Sequence, residues 1–148
     1  MTPTVIITVG IPLSGKSTFA EEKVYEQHLV TDDFRKFRIL CRDTIRLHLH
    51  KDYTKIPFTK ESEQEVTARF NTLLRVYIAN KLNIIIDQTN CKEAYINSLL
   101  KSFENTPYKI QIKFFDIPLW KAFYRNIVRG IKTDKWIPWK VLRTMKRN

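Results

Sequence analysis

VIITVGIPLSGKSTF, Val5 to Phe19, runs from apolar residues into Gly10-x-x-x-x-Gly15-Lys16-Ser17. Thr4 to Val9 is rich in Val and Ile and alternates little, as a strand covered on both faces of a parallel sheet does. From Lys16 to about His28 the chain reads as a helix. A glycine-rich turn between such a strand and a helix N-terminus is a phosphate cradle. Successive backbone N–H groups turn inward, and the helix adds its positive end. Gly10 and Gly15 supply backbone angles or close approach that a side chain would obstruct. Ile11, Pro12, Leu13, Ser14 and Thr18 complete the loop. Lys16 is expected to reach the β- and γ-phosphates of ATP, and the Ser17 hydroxyl to bind Mg²⁺. An accidental glycine–lysine turn is the competing reading, but this motif sits between a strand and a helix, as the mechanism requires. Two of the chain's three glycines lie here.

Outward from the loop, strands alternate with helices. Strands are expected at Phe37 to Cys41, Asn83 to Asp87 and Lys109 to Asp116. Helices are expected at Asp43 to His50, Glu61 to Lys81, after Asn90, from Pro118 to about Arg129, and from Pro138. In the long one, Val66, Phe70, Leu73, Leu74, Tyr77 and Ile78 recur at intervals of three and four. Asn90 with Glu93 reads as a capping box. Pro118 suits a first helical position, and Gly130 reads as the stop. Lys51 to Lys60 reads as a loop. The pattern predicts an α/β fold on a parallel sheet, with residues 1–148 as a single domain.

A chain of 148 residues, 43% of them hydrophobic, suits one compact domain with a real core. No apolar run approaches the roughly 20 residues that span a bilayer. The start, Met1 to Val5, has no basic n-region of a secretion signal. Cys41 and Cys91 form no CxxC and sit in or beside apolar runs, so they are expected to be reduced, in the cytoplasm. No HExxH pattern suggests zinc. The net charge of +11 serves solubility or a polyanionic partner, of which nucleic acid is the commonest. The chain is short for a motor and has no NKxD guanine-reading pattern, which leaves a small phosphotransferase.

The acceptor side is expected after the second strand, at FRILCRDTIR, Phe37 to Arg46. Ligands of open α/β sheets bind at the carboxyl ends of the strands. Asp43 could take the proton from an attacking hydroxyl. Arg46, three places on, could hold an acceptor phosphate, with Arg42 beside it. Alternatively Asp43 is a helix N-cap and Arg46 a surface charge. Asp32 in TDDFR has the same D-x-x-R spacing but follows a weaker apolar pair, so Asp43 is preferred. In IIIDQTN, Asp87 stands where a Mg²⁺-binding carboxylate belongs, with Thr89 and Asn90 as substrate contacts; alternatively all three form the turn and helix start. From Leu119 onward nine Lys or Arg face one Asp. Arg125 and Arg129 share a helix face and read as a lid over phosphates, where the arginine fork grips oxygens in pairs. A solvated basic helix is the plainer reading. Trp136 and Trp139 could stack a base or pack in the core.

The combined order GxPxSGKST (Gly10 to Thr18), RDxxR (Arg42 to Arg46), DxTN (Asp87 to Asn90), FDxPxxxxxxRNxxRG (Phe115 to Gly130) and IPxxVLRxM (Ile137 to Met145) resembles the kinase domain of the bacteriophage 5′-polynucleotide kinase/3′-phosphatase family. The resemblance covers nearly the whole chain. It implies a P-loop NTPase of adenylate-kinase-like fold, with a four-stranded parallel sheet flanked by helices and a C-terminal lid. It implies ATP-dependent phosphorylation of the 5′-hydroxyl ends of single-stranded DNA or RNA, in end repair. By position, Lys16 and Ser17 match the loop contacts, Asp43 the general base, Arg46 the grip on the acceptor's 3′-phosphate, and Arg129 the lid arginine on the donor phosphates. It also favours Asp43 over Asp32. Leu13 stands where such loops often carry Gly, which is harmless if its backbone angle is ordinary. Thr44 replaces a second acid. The lid looks longer. No DxDGT motif is present, so no 3′-phosphatase activity is expected. A P-loop kinase of a small metabolite or nucleoside is the alternative.

Overall fold

The computed structural model describes residues 2–30, 37–50, 59–89, 92–133 and 136–147. Along the chain lie β1 (Thr4–Val9), α1 (Lys16–Val30), β2 (Arg38–Leu40), α2 (Arg42–His50), α3 (Lys60–Ala79), β3 (Ile84–Ile86), α4 (Glu93–Lys101), β4 (Lys109–Phe114), α5 (Leu119–Thr133) and α6 (Trp139–Arg147). The strands form one four-stranded sheet in the order β2-β3-β1-β4, and every pairing is parallel. The element boundaries fall within two or three residues of those expected, apart from the start of α4 and the end of α5.

Helices on both faces explain the apolar strands. On one face Val5, Ile7, Leu40, Ile84 and Ile86 pack with Val66, Phe70 and Leu74 of α3 and Leu99 of α4. On the other, Ile6 and Ile85 meet Ala20 of α1. Val5 to Thr8 of β1 and all of β3 are therefore buried, as sheets covered on both sides require. β4 is the exception. It is an edge strand, exposed along its length, and alternates Lys109, Gln111 and Lys113 with Ile110, Ile112 and Phe114. Thr59 caps α3 by accepting the Ser62 N–H at 3.2 Å, and the apolar stripe that follows faces the sheet.

Two helix signals differ. α4 begins at Glu93 with Lys92 at its N-cap and no side-chain cap, so Glu93 stands in the first turn, too early to close a capping box. Asn90 lies outside the described residues. Gly130 does not stop α5, which runs on to Thr133. A Cβ at Gly130 would sit 3.3 Å from the Trp136 ring. This glycine therefore admits a close neighbour without ending the helix. Fully buried Asn126 fastens the turn: its Nδ2 donates to the Ile137 carbonyl at 2.7 Å and its Oδ1 accepts the Ile137 N–H at 3.2 Å. Trp136 and Trp139 remain about half exposed, edge-on to Phe123, so neither is a core residue. Among the described residues, no helix is long and apolar enough to cross a membrane.

Phe70 is 1% exposed, so Phe70→Ala should cost about 3–5 kcal/mol. Val76 on the outer face of the same helix is 47% exposed, and Val76→Ala should stay within about 0.5 kcal/mol. Urea midpoints at unchanged slope measure both.

Candidate active site

Because all four strands point the same way, the segments after β1, β2 and β3 open at one edge of the sheet. A cleft of about 1500 Å³ lies there. Its walls are the glycine-rich loop, the start of α2, the turn after β3, and Arg125, Arg129 and Trp136 from the C-terminal region.

The loop needs its glycines for different reasons. A Cβ on Gly10 would lie 2.4 Å from the Phe115 carbonyl oxygen, and Gly15 has φ +100°. Leu13 has φ 67°, so the condition under which it would be harmless, an ordinary backbone angle, is not met. A leucine in the left-handed region costs about 1–2 kcal/mol. Lys16 is buried, and its Nζ donates to the Ile11 carbonyl at 2.6 Å and the Ser14 hydroxyl at 3.2 Å. The lysine thus folds back into its own loop. The Gly10 N–H donates to the Thr89 carbonyl at 3.2 Å, which joins the loop to the turn after β3. Arg125 donates to the Leu13 carbonyl at 2.8 Å.

At the neighbouring wall, Asp43 lies in the first turn of α2, its side chain 61% exposed, and Arg46 follows one turn later with 8% of its side chain exposed. Their contact is 2.6 Å. Glu63 of α3 completes the group. Its Oε1 accepts Arg46 Nε at 2.9 Å and NH2 at 2.7 Å, and its Oε2 accepts Arg42 NH2 at 3.1 Å. Arg42 also reaches the Thr67 hydroxyl at 2.9 Å, so this candidate substrate residue is tied towards α3 while still lining the cleft. Burial raises the Glu63 carboxyl, but hydrogen bonds from Arg46 and Arg42 outweigh it and hold the group below its ordinary value. Sequence reasoning missed Glu63. It is 17 residues from Arg46, and only the packing of α2 on α3 reveals the pair. Burial pushes the Cys41 thiol up despite the backbone N–H of Thr44, so it is a poor thiolate nucleophile.

Asp87 is 5% exposed and lines the cleft. Its N–H donates to the Leu40 carbonyl at 3.1 Å. Its position on the cleft wall is one where a cation bound in the cleft would meet a carboxylate. Ser17 is exposed on the same cleft. Among the described residues no group of three or more His, Cys, Asp or Glu converges as a metal cage. One hydroxyl and one carboxylate fit Mg²⁺, which keeps waters and takes its remaining ligands from phosphates. Gln88 and Tyr95, also unforeseen, line the cleft with the Gln88 amide donating to the Tyr95 hydroxyl at 2.7 Å. Asn90 and Asp32 lie outside the described residues, so the choice between the two D-x-x-R segments rests on the placement of Asp43.

Comparison with known proteins places this architecture. A family model described as the AAA domain matches residues 5–148. A chain of the Pnkp1/Rnl/Hen1 RNA repair complex superposes with a TM-score of 0.80 at 25% identity, covering 99% of this chain and 43% of that one. The L-seryl-tRNA(Sec) kinase of Methanococcus maripaludis is 31% identical over 145 residues, which are 95% of this chain and 50% of that protein. A gluconokinase from Sinorhizobium meliloti shares the fold at a TM-score of 0.59 and 16% identity, over 99% of this chain and 74% of that one. The fold is that of the P-loop kinases. The chain spans half of the tRNA kinase and less than half of the RNA-repair chain.

Glu63 has a depressed folded pKa, so its contribution to stability is present above its unfolded value, near 4.5, and is lost as pH falls through the folded value. Glu63→Gln should cost about 1–2 kcal/mol at neutral pH, a figure reduced for the group's partial exposure. The gap from wild type should shrink as pH falls below 4.5 and through the lower folded value. Urea unfolding of both proteins across that range tests it; a gap independent of pH would rule out the charged pairing.

Proposed function

This chain belongs to the AAA-domain family, and we propose that it is an ATP-dependent 5′-hydroxyl polynucleotide kinase whose 148 residues act as a single P-loop kinase domain in the cytoplasm. One observation carries the reading: the Asp43–Arg46 contact of 2.6 Å lies on the same cleft as the phosphate loop. A carboxylate that can take a proton thus stands beside a guanidinium that can hold a phosphate. The similarity to a chain of an RNA repair complex and the net charge of +11 support a nucleic-acid acceptor.

In this reading ATP enters the loop, and its phosphates take over the Lys16 ammonium from the Ile11 carbonyl and Ser14. Arg129 approaches the donor phosphates from α5. Ser17 and Asp87 hold Mg²⁺, which when bound neutralises charge on those phosphates. Arg46 orients the acceptor through the phosphate on its 3′ side, and Asp43 accepts the proton of the 5′-hydroxyl. In-line phosphoryl transfer asks little else of the protein beyond positioning and charge neutralisation. Arg42 and Thr89 complete the acceptor wall. A second reading, phosphorylation of a hydroxyl outside a nucleic-acid end, is favoured by the 31% identity to the seryl-tRNA kinase. Small metabolites and nucleosides are the other acceptors in that class.

Transfer of labelled γ-phosphate to 5′-hydroxyl DNA and RNA, nucleoside 3′-monophosphate, bare nucleoside and seryl-tRNA discriminates these readings. We expect oligonucleotides and the 3′-monophosphate to be labelled. Equal labelling of the bare nucleoside would favour the alternative. Lys16→Ala should abolish transfer to every acceptor. Asp43→Asn should slow it by about 10²–10⁴ with ATP binding retained. Arg46→Leu should lose about ten- to a hundredfold with 3′-phosphorylated acceptors only. Near-normal turnover in Asp43→Asn, with loss in Asp32→Asn, would move the base to the other segment.

A further inference from the structure

We infer that Arg125 is a positioning residue that acts through the backbone of the phosphate loop. From α5 it holds Leu13 in the left-handed conformation that the cradle requires, a task that a glycine at this position would make unnecessary. The inference deepens the reading of the loop as a nucleotide site and does not depend on which acceptor is used.

Three observations meet at this point. Positive φ occurs at Gly10, Leu13 and Gly15 within the loop, and only Leu13 carries a Cβ. Its carbonyl accepts the Arg125 guanidinium at 2.8 Å across 112 positions of sequence. The next residue, Ser14, is buried and accepts from Lys16 Nζ, so the strained residue adjoins the part of the loop that positions the lysine. A nest forms only while the φ angles of successive residues keep the sequence that turns their N–H groups to one side. The carbonyls then face away from the anion, where a donor from another element can fix them. Leucine left to itself prefers φ below zero, and that rotation would turn the following N–H groups out of the cradle. A charge-assisted hydrogen bond is strong enough to oppose it. Arg125 therefore serves the donor phosphates indirectly, whereas Arg129, one helical turn away on the same cleft, is left to face them.

The test is a double-mutant cycle read as the affinity for Mg·ADP, by calorimetry, in wild type, Arg125→Ala, Leu13→Gly and the double variant. Arg125→Ala should weaken binding about ten- to a hundredfold in the wild-type background. In the Leu13→Gly background the same change should cost no more than about threefold. Arg125→Lys, which keeps a donor and the charge, should fold in any case and lose less than Arg125→Ala does. An equal loss from Arg125→Ala in both backgrounds would mean that Arg125 grips the nucleotide itself, and the inference falls. A lowered melting temperature with unchanged ADP affinity would reduce Arg125 to lid packing and overturn it as well. Failure of wild type to bind Mg·ADP would overturn the nucleotide-site reading, a result distinct from either.

Discussion

Parallel pairing of β1 with a strand on each side governs the rest of the molecule. β1 is held by β3 and β4 along its edges and covered by helices on its faces. Its backbone groups are satisfied and its side chains dry, so its end is a fixed point. The glycine-rich loop begins there and cannot drift. The same pairing brings the ends of β2 and β3 level with it. Arg38 and Ile84 share a register, as do Leu40 and Ile86, which is why the Asp87 N–H meets the Leu40 carbonyl just beyond the strands. A phosphate cradle, a buried carboxylate and the start of α2 thereby reach one cleft without any sequence proximity.

Charge is the second organising constraint. Arg46 is nearly buried, and a buried guanidinium is tolerable only with carboxylates beside it. Asp43 supplies one from its own helix and Glu63 another from α3. Glu63 also takes Arg42, so the first turn of α2 is clamped to the long helix by a group of two arginines and two acids. The clamp sets the side-chain directions on this wall of the cleft, and fixed directions lower the ordering cost of binding. A substrate phosphate that engages Arg46 must share it with these carboxylates or displace one of them.

The C-terminal region shows why local signals misled. Gly130 carries the composition of a helix stop, yet the space beside it is taken by Trp136, and a contact of that kind leaves no trace in a window of neighbouring residues. Asn126 looked like an ordinary motif member. Its amide instead pairs both ways with the Ile137 backbone and closes α5 onto α6. Whether Leu13 suits its turn depends on φ, which residue type constrains only in part. Its angle is shared between the loop and a helix that lies more than a hundred residues away.

What the sequence by itself determined was local and periodic: the buried strand before the loop, the glycine spacing, the amphipathic stripe of α3, and the alternation that makes a parallel sheet. Those signals arise from backbone geometry and burial within a dozen residues, so they survive without knowledge of the neighbours. Lys16, Ser17, Asp43, Arg46, Asp87 and Arg129 stood out as candidates on the same kind of local signal, because each follows a strand or lies one helical turn from another candidate, and all six line one cleft. The tertiary structure alone decided the partners of those residues: Glu63 on Arg46, Arg125 on the Leu13 carbonyl, Gln88 on Tyr95. Such pairs depend on where whole elements dock, and docking is the sum of many weak apolar contacts that no single position encodes.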